Sequence, residues 1–206
     1  DLSAEDRVVV ITPHTESIRQ EFAKGFAEWY EAETGRSVFV DYRVIGGTSE
    51  ITKFLNSEFL NSFRNIWSAQ PGRSWNRTVQ EAAFNSRIEL SPDPAEDTPE
   101  EAARRAYLNS NAGSGIDVFF GGGTYDFSVM AANGHLVDAG LFAKHPDWFQ
   151  ETAQPGSIPD AIPRQFAGET FFDEEGRWYG AVLSSYGIIF NRDVLRRLGI
   201  ENDPQQ

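Results

Sequence analysis

The chain of 206 residues contains no cysteine. Disulfide bonds, thiolate catalysis and cysteine-ligated zinc are therefore excluded. The absence fits an oxidising compartment, although it does not require one. No apolar run approaches the roughly 20 residues of a membrane-spanning helix, and no stretch has the pattern expected of a signal peptide. The chain begins Asp1-Leu-Ser-Ala-Glu-Asp6 without methionine, as a mature secreted protein or a trimmed chain would.

Basic residues are few. Lys and Arg total 18 against 31 Asp and Glu, which gives a formal net charge of -13. Such a field repels polyanions, so nucleic acid is not an expected partner. We interpret the excess of acidic residues as a feature that keeps the protein soluble, for example in a salty habitat, rather than as a functional acidic face. The length suits one or two domains with a sizeable core.

The first sixty residues alternate between short β-branched runs and helical periodicity. Strands are predicted at residues 7–12 and 38–45, each followed by a helix. The first helix is expected to end at Gly35, a residue suited to a left-handed C-terminal cap. The order strand, helix, strand, helix predicts a parallel sheet with right-handed crossovers. The apolar positions that mark the helices are Ile18, Phe22, Phe26 and Trp29 in the first and Ile51, Leu55 and Phe59 in the second.

Residues from about 61 to 110 interrupt this rhythm and are interpreted as an insertion with partial helical content. Thr98-Pro99-Glu100-Glu101 predicts a helix start with a capping box, and that helix runs to about Leu108. A third buried strand is predicted at 116–120, in which Asp117 is interpreted as a structural hydrogen-bonding residue. Thr124 is expected to cap a helix that stops at Asn133-Gly134.

The remainder of the chain is less regular. Four prolines between residues 146 and 163 indicate an irregular stretch. Strands are predicted at 178–183 and 186–190, and a last helix at 194–198.

Three of the predicted strands end in turns rich in glycine or hydroxyl residues, and each turn opens a helix. In a parallel sheet such turns meet at the carboxyl edge, where helix N-termini direct free N–H groups at a ligand. Taken singly, each turn is explained as well by a tight reversal of the chain as by ligand binding. In the same way, His14 could be a capping or surface residue, and Tyr125 could be a packing residue. Taken together, the turns favour a binding site. The candidate ligand contacts are Thr12, His14, Thr15, Gly47, Thr48, Ser49, Gly122, Gly123, Thr124 and Tyr125.

Catalytic signatures are missing. The glycine run lacks the lysine of a phosphate-binding P-loop, and no G-x-G-x-x-G is followed by a matching acid. No G-x-S-x-G elbow and no H-x-x-x-H pair occurs. The sequence therefore assigns no catalytic residue, no cofactor and no metal site, and the chain is not expected to be an enzyme.

An ordered set of segments resembles the extracellular solute-binding proteins of bacterial ABC transporters, in the two-lobed class that includes ferric-iron and thiamine binders. The resemblance covers nearly all of the chain outside the insertion, and no single motif in it is diagnostic. The segments that carry it are Val8–His14, Phe22–Gly35, Gly115–Gly121, Asn133–Asp138, Trp178–Asn191 and Val194–Ile200.

The resemblance implies a periplasmic-binding-protein-like α/β lobe with a mostly parallel sheet flanked by helices. Residues 1–183 would form the first lobe, and 184–206 would form the hinge crossing and the start of a second lobe that is missing. Such proteins run well past 300 residues in this family, so the chain is expected to be a fragment. Ser184, Ser185 and Tyr186 would lie at the hinge side of the ligand.

The implied function is capture of a small solute in the cleft between the lobes and delivery to a membrane permease of the ABC importer. The protein would be periplasmic and a monomer when full-length. The ligand would be an anion, a metal ion or a small carboxylated or phosphorylated molecule. His14 matches a histidine of some ferric binders, Glu58 is a loose counterpart of their acidic ligand, and their paired tyrosines would lie beyond residue 206, so iron is one candidate.

Two other functions stay open at this point. A two-lobed enzyme, such as a transferase of the same architecture, would need a general base in the cleft, and His14 is the candidate. A sensor domain would use the same binding lobes to feed a signalling protein.

Overall fold

The computed structural model describes residues 3–152, 161–166, 168–182 and 192–199. The described chain is mixed α/β, and a three-stranded parallel sheet flanked by helices lies in its first part. The predicted class of fold is confirmed at this level. The elements of the first part are β1 Asp6–Ile11, α1 Glu16–Thr34, β2 Val38–Arg43, α2 Thr48–Ser68, α3 Arg77–Ala83, α4 Pro99–Leu108, β3 Val118–Phe119 and α5 Thr124–Asn133.

The parallel sheet has the strand order β2-β1-β3, with β1 in the middle. Its register places Ile11 of β1 opposite Arg43 of β2 and Phe119 of β3. The Asp117 carboxylate accepts a hydrogen bond from the backbone N–H of Val9 at 2.8 Å, which ties the approach to β3 onto the central strand. The parallel order and the structural role of this aspartate were both predicted, and both are confirmed.

One apolar cluster holds the sheet to α2 and α5. Its buried members are Ile11, Ile51, Leu55 and Met130. Helix α1 lies on the other face: Phe119 packs against the cluster, whereas the next residue, Phe120, contacts Phe22 of α1 with ring centroids 4.7 Å apart. Consecutive residues of an extended chain point to opposite faces, so the helices cover both faces of the sheet.

Helix α1 is only loosely covered. None of its residues is buried. The predicted apolar positions form a stripe along one flank, and Phe22 and Trp29 in that stripe are 50% and 53% exposed. The periodicity therefore predicted the helix correctly, but the described chain leaves much of its apolar flank open.

Glycines end two of the helices as expected. Gly35 follows α1 with φ 69° and donates its N–H to the carbonyl of Glu31 at 2.8 Å. Gly134 follows α5 with φ 85°. Both residues are in the left-handed region, where a side chain is disfavoured, and both predicted helix ends are confirmed.

The insertion is largely helical. Its ordered elements are the C-terminal end of α2, then α3, a 3₁₀ turn at Pro94–Glu96, and α4. The capping box of α4 is present as predicted: the Glu101 N–H donates to the Thr98 hydroxyl at 3.3 Å, and the Thr98 N–H donates to the Glu101 carboxylate at 2.9 Å. A second apolar cluster forms here, with buried members Phe63, Trp67, Val79, Ala82, Ala83, Ala103 and Tyr107.

The stretch from 146 to 163 was predicted to be irregular, and this expectation was wrong for its described residues, which belong largely to a second sheet; residues 153–160 lie outside the described chain. The middle strand of this sheet contains Pro163, a residue that argues against a strand because it cannot donate to a ladder. Within 178–182, the strand predicted at 178–183 is reduced to one bridge between Phe172 and Tyr179. The elements are α6 Leu141–Lys144, a 3₁₀ turn at Pro146–Trp148, β4 Phe149–Thr152, β5 Ile162–Phe166 and β6 Glu169–Thr170, with order β4-β5-β6.

The strand predicted at 186–190 lies outside the described residues. The last predicted helix is present as α7, Arg192–Arg197. No helix in the described ranges is both long and apolar enough to cross a membrane.

Candidate functional site

The three predicted loops leave the parallel sheet at one edge and at the same level. The sheet ladder continues one residue beyond β1, because the Thr12 N–H donates to the Arg43 carbonyl at 3.1 Å. On the other side, the Phe120 N–H donates to the Ile11 carbonyl at 2.9 Å. Residues 12–15, 44–47 and 120–123 therefore all begin at the carboxyl edge, and the N-termini of α1, α2 and α5 follow them.

The strand order creates a switch point at this edge. The connection after β1 passes through α1 on one face, and the connection after β2 crosses back through α2 on the other face. In open α/β sheets, the crevice at such a reversal is where ligands bind. Here that crevice lies between β1 and β3, so it is bordered by the first and third loops rather than equally by all three.

Inside this crevice, His14 lies against Gly121. A Cβ at Gly121, which has φ 94°, would stand 2.6 Å from His14 Nε2. The imidazole also packs on Phe120, with ring centroids 4.8 Å apart. A Cβ at Gly122 would meet the rings of Phe127 and Phe119 at 3.3 and 3.5 Å. The space at Gly121 and Gly122 is thus used by the protein's own side chains, and a ligand would contact His14 rather than the Gly121 backbone.

The first loop is held rigidly from within. Thr12 is fully buried, and its hydroxyl accepts a hydrogen bond from the His14 N–H at 3.2 Å. Arg19 of α1 donates from a guanidinium nitrogen to the His14 carbonyl at 2.7 Å. Thr15 is exposed, and its hydroxyl contacts that of Ser17 at 3.2 Å. Thr12 therefore shapes the loop, whereas His14 and Thr15 are the residues it can present.

The second loop leads into α2 without a side-chain cap. Gly47 is the N-cap residue and has an extended backbone, so no side chain accepts the first amides of the helix. Ser49 is exposed and Thr48 is half-buried. A Cβ at Gly47 would meet only a carboxylate oxygen of Glu50, at 3.2 Å. Helix α1 likewise has no side-chain cap hydrogen bond at Thr15.

The third loop corrects one expectation. Gly123, not Thr124, is the N-cap residue of α5. Thr124 is the first helical residue, and its hydroxyl donates to the Thr170 carbonyl at 3.3 Å. The Asp126 carboxylate accepts the Gly123 N–H at 3.2 Å, but glycine has no side chain to accept the first amides of the helix. Tyr125 is 79% exposed, so it faces solvent at the edge instead of packing.

The charges at this edge are mostly negative. Glu16, Glu50 and Asp126 each lie in the first turn of their helix, where the helix dipole stabilises a carboxylate. Arg19 is the single basic residue in the first four positions of the three helices. Among the described residues, no group of three His, Asp or Glu side chains is placed to hold a metal ion.

Several predicted residues do not reach the crevice. Glu58 is ten positions after Thr48 on α2, which places it about 15 Å along the helix from its start. Ser184, Ser185 and Tyr186 lie outside the described residues. The structure therefore gathers His14, Thr15, Gly123, Thr124 and Tyr125 around the switch point, with Gly47, Thr48 and Ser49 at the neighbouring loop.

Sequence reasoning missed the contribution of the second sheet. Trp178 is buried, and its ring stacks on Phe127 of α5 at a centroid distance of 6.3 Å. The bond from Thr124 to Thr170 of β6 joins the start of α5 to the second sheet, and the Trp178 contact joins α5 to the segment that follows this sheet. Arg19 was missed as well. No local pattern marks these residues, because each acts through a partner distant in sequence or through a backbone carbonyl.

A surface cavity with a volume of about 460 Å³ lies elsewhere, next to the second sheet. It is lined partly by Phe142, Phe149 and Arg164. The two phenylalanine rings pack edge to face on each other, and Arg164 forms an ion pair with Glu174. Because its lining groups are already partnered, this cavity is a weaker candidate for a site than the switch point.

The chain matches no family model, no curated protein and no solved structure.

Proposed function

We propose that this chain is a ligand-binding lobe of a solute-binding protein that serves an ABC importer. It would hold a small solute at the carboxyl edge of its parallel sheet, in a cleft shared with a second lobe. The single observation that carries the proposal is the common level of the three loops around the β1–β3 switch point. In this arrangement the helix N-termini, the exposed hydroxyls of Thr15 and Ser49, and the imidazole of His14 are available to one ligand.

The open flank of α1 supports the two-lobed arrangement. Phe22 and Trp29 are about half exposed there, and a folded domain rarely leaves a row of aromatic residues uncovered without a partner. Segments that return from a second lobe would cover such a flank and would extend the three-stranded sheet. The proposed periplasmic location and the proposed contact with a membrane permease follow from this class of protein.

The ligand chemistry follows from the two kinds of group at the edge. Uncapped amides at the starts of α1 and α2 favour an acceptor such as a carboxylate or phosphate oxygen. The carboxylates of Glu16, Glu50 and Asp126 oppose a large net negative charge on the ligand. A small carboxylated or phosphorylated molecule that also carries positive charge, or an anion bound together with a metal ion, satisfies both conditions. Closure of the two lobes around it would present the complex to the permease.

The test uses glycines at which a methyl group fits the backbone. Gly47 and Gly123 both have negative φ, and the nearest atoms to an added Cβ are carboxylate oxygens at 3.2 and 3.5 Å. Gly47→Ala and Gly123→Ala should keep the fold and project a methyl group into the site. Gly25→Ala is the matched control, because a Cβ at that position of α1 has no neighbour within 4 Å.

Calorimetry identifies the ligand. Binding of ferric iron, phosphate, sulfate, thiamine and small carboxylates is measured on this chain and on a longer chain that includes a second lobe. We expect weak binding by this chain, tight binding by the longer one, and a loss of about tenfold or more in affinity for each site variant, with the control unchanged. Binding that is tight in this chain alone, or that ignores both site variants, would contradict the proposal. Turnover that disappears in His14→Ala would indicate the enzyme instead.

A further inference from the structure

A second polar cluster lies away from the carboxyl edge, at the C-terminal end of α5. It consists of three buried residues with ionisable side chains, Arg104 and Tyr107 of α4 and His135, which follows α5. Their exposed fractions are 4%, 3% and 7%. The cluster plays no part in the proposed ligand site, so its burial asks for a separate explanation.

Arg104 ties two helix ends together. Its guanidinium donates to the carbonyls of Asn133 and Ala132 at 2.6 and 2.8 Å, at the end of α5, and to that of Ala83 at 2.7 Å, at the end of α3. Helix C-termini carry partial negative charge and stabilise a cation. No carboxylate of the described residues forms an ion pair with Arg104. Within the part of the chain that the structure describes, the positive charge is therefore balanced by backbone carbonyls and by the Tyr107 ring, whose centroid lies 6.0 Å from the guanidinium carbon.

His135 uses both ring nitrogens. Nε2 lies 2.8 Å from Oδ1 of Asn56, which can only accept, so Nε2 carries the hydrogen. The Tyr107 hydroxyl is 2.6 Å from Nδ1 and donates to it. The ring stacks on Phe59 at 4.5 Å and meets Phe84 edge-on at 4.4 Å. In this arrangement His135 is the neutral imidazole, and all of its polar atoms have partners.

The position of His135 is a seam between the two apolar clusters. Phe59 packs against the cluster of the sheet, α2 and α5. Tyr107 and Phe84 belong to, or pack against, the cluster of the insertion. Helix α2 runs through both clusters, with Ile51 and Leu55 in one and Phe63 and Trp67 in the other, so it keeps them joined. The part of the seam that can open is therefore the contact of α4 and the end of α3 with the end of α5. His135 and Arg104 both cross it; Arg104 is permanently charged, so the charge state of His135 decides whether the seam stays closed.

We propose that this cluster is an acid-sensitive latch, which fastens residues 77–108 to the end of α5 while His135 is neutral and releases them from α5, though not from α2, when Nδ1 takes up a proton. A proton from water on Nδ1 removes the acceptor of the Tyr107 hydroxyl. That hydroxyl must then turn toward the Gly134 carbonyl, which it now approaches only at 3.4 Å. The proton also places a second positive charge beside Arg104, in a space that excludes water.

The groups that face His135 offer no compensating charge. Helix α2 contributes Asn56 and Phe59, the end of α3 contributes Phe84, and α4 contributes Arg104 and Tyr107. Burial, with a further contribution from Arg104, lowers the pKa of His135 to about 4. Burial raises the pKa of Tyr107, so this residue stays a neutral hydroxyl. The protonated imidazole therefore meets only neutral groups and a like charge.

The histidine content makes the test clean. The chain has three histidines, so a His14→Gln/His145→Gln variant leaves His135 as the only one. Nuclear magnetic resonance from about pH 7 to about pH 3.5 follows the His135 ring and the backbone together. We expect the amide signals of residues 77–108 and 130–136 to change with the same midpoint as the ring, while those of β1 stay fixed.

A second variant decides whether charge is the cause. Asn56→Asp keeps the shape of the side chain and puts a carboxylate at Nε2, which should raise the midpoint of His135 by about one unit or more and keep the seam closed. Asn65→Asp, at an exposed position of the same helix, controls for the added charge and should behave as the parent. Opening with an unchanged midpoint in Asn56→Asp, or protonation of His135 that leaves residues 77–108 undisturbed, would overturn the latch.

Discussion

Gly121 and His14 come from different loops and occupy adjoining space: a Cβ on the glycine would lie 2.6 Å from Nε2 of the histidine. Gly121 also has φ 94°, in the region that disfavours side chains. Glycine is therefore required at position 121 for two reasons: its backbone conformation disfavours a side chain, and the His14 ring occupies the space that a side chain would need. The contact joins the two loops that border the switch point, so the shape of the proposed site depends on it.

Gly121→Ala should lower the free energy of unfolding by about 2 kcal/mol, of which about half is backbone strain and the rest is the contact with His14. In a His14→Ala background, the same change should cost only about 1 kcal/mol, because the neighbour is gone. Urea unfolding of the four variants of this double-mutant cycle measures the coupling. Equal costs in both backgrounds would show that the two residues do not share this space.

Exposure on α1 predicts how its aromatic residues tolerate change. Trp29 is 53% exposed, whereas Trp67 in the insertion cluster is 7% exposed. We expect Trp29→Gln to reduce the free energy of unfolding by less than about 1 kcal/mol and Trp67→Ala to reduce it by about 3 kcal/mol or more. Thermal and urea unfolding of both variants provide the comparison.

The same change also tests the two-lobed proposal. If a second lobe covers the flank of α1, Trp29→Gln should cost clearly more in a chain that contains that lobe than in this one. An equal and small cost in both chains would mean that the flank stays exposed and that the second lobe, if present, packs elsewhere.

Local signals account for the part of the fold that the sequence predicted. Residues 18–29 repeat with helical periodicity, Gly35 and Gly134 end helices in the left-handed conformation, and Thr98 forms its capping box within four residues. Each signal acts over a few neighbours, so it can be read without knowledge of the tertiary structure. The common edge of the three loops then follows from the parallel order alone.

The features that the sequence did not predict depend on partners that are distant in sequence. Arg104 reaches the Asn133 carbonyl 29 residues away, and His135 reaches Asn56 over 79 residues. Neither pairing leaves a local pattern, since one partner is a backbone group and the other lies on a remote helix.

The second sheet was missed because its strands have two to five residues and one contains Pro163. Thr124 was predicted to be the cap because hydroxyl residues favour that position, but the helix begins one residue earlier and Gly123 occupies it, with its N–H donated to the Asp126 carboxylate.

The two helix ends held by Arg104 predict a large effect of its removal. Arg104→Met keeps much of the side-chain volume but leaves the carbonyls of Ala83, Ala132 and Asn133 without their donor, so we expect a loss of about 3 kcal/mol in the free energy of unfolding. Arg104→Lys should recover only part of it, because one ammonium cannot match the fork of the guanidinium. Arg64→Met, at an exposed position of α2, is the control and should stay within about 0.5 kcal/mol of the parent. A small effect of Arg104→Met would mean that water replaces the guanidinium.

The lowered pKa of His135 predicts how stability depends on pH. The value is about 4 in the folded protein against about 6.5 in an unfolded chain, so the unfolded state binds the proton first as the pH falls. Stability is therefore greatest above pH 6.5 and decreases between that value and about pH 4. Between pH 7.5 and 5.5 we expect a loss of about 1 kcal/mol, in a range where carboxylates with lowered pKa, such as those of Asp41 and Asp173, do not titrate. Urea unfolding at these two pH values measures the loss, which should persist in His14→Gln/His145→Gln and vanish in His135→Phe.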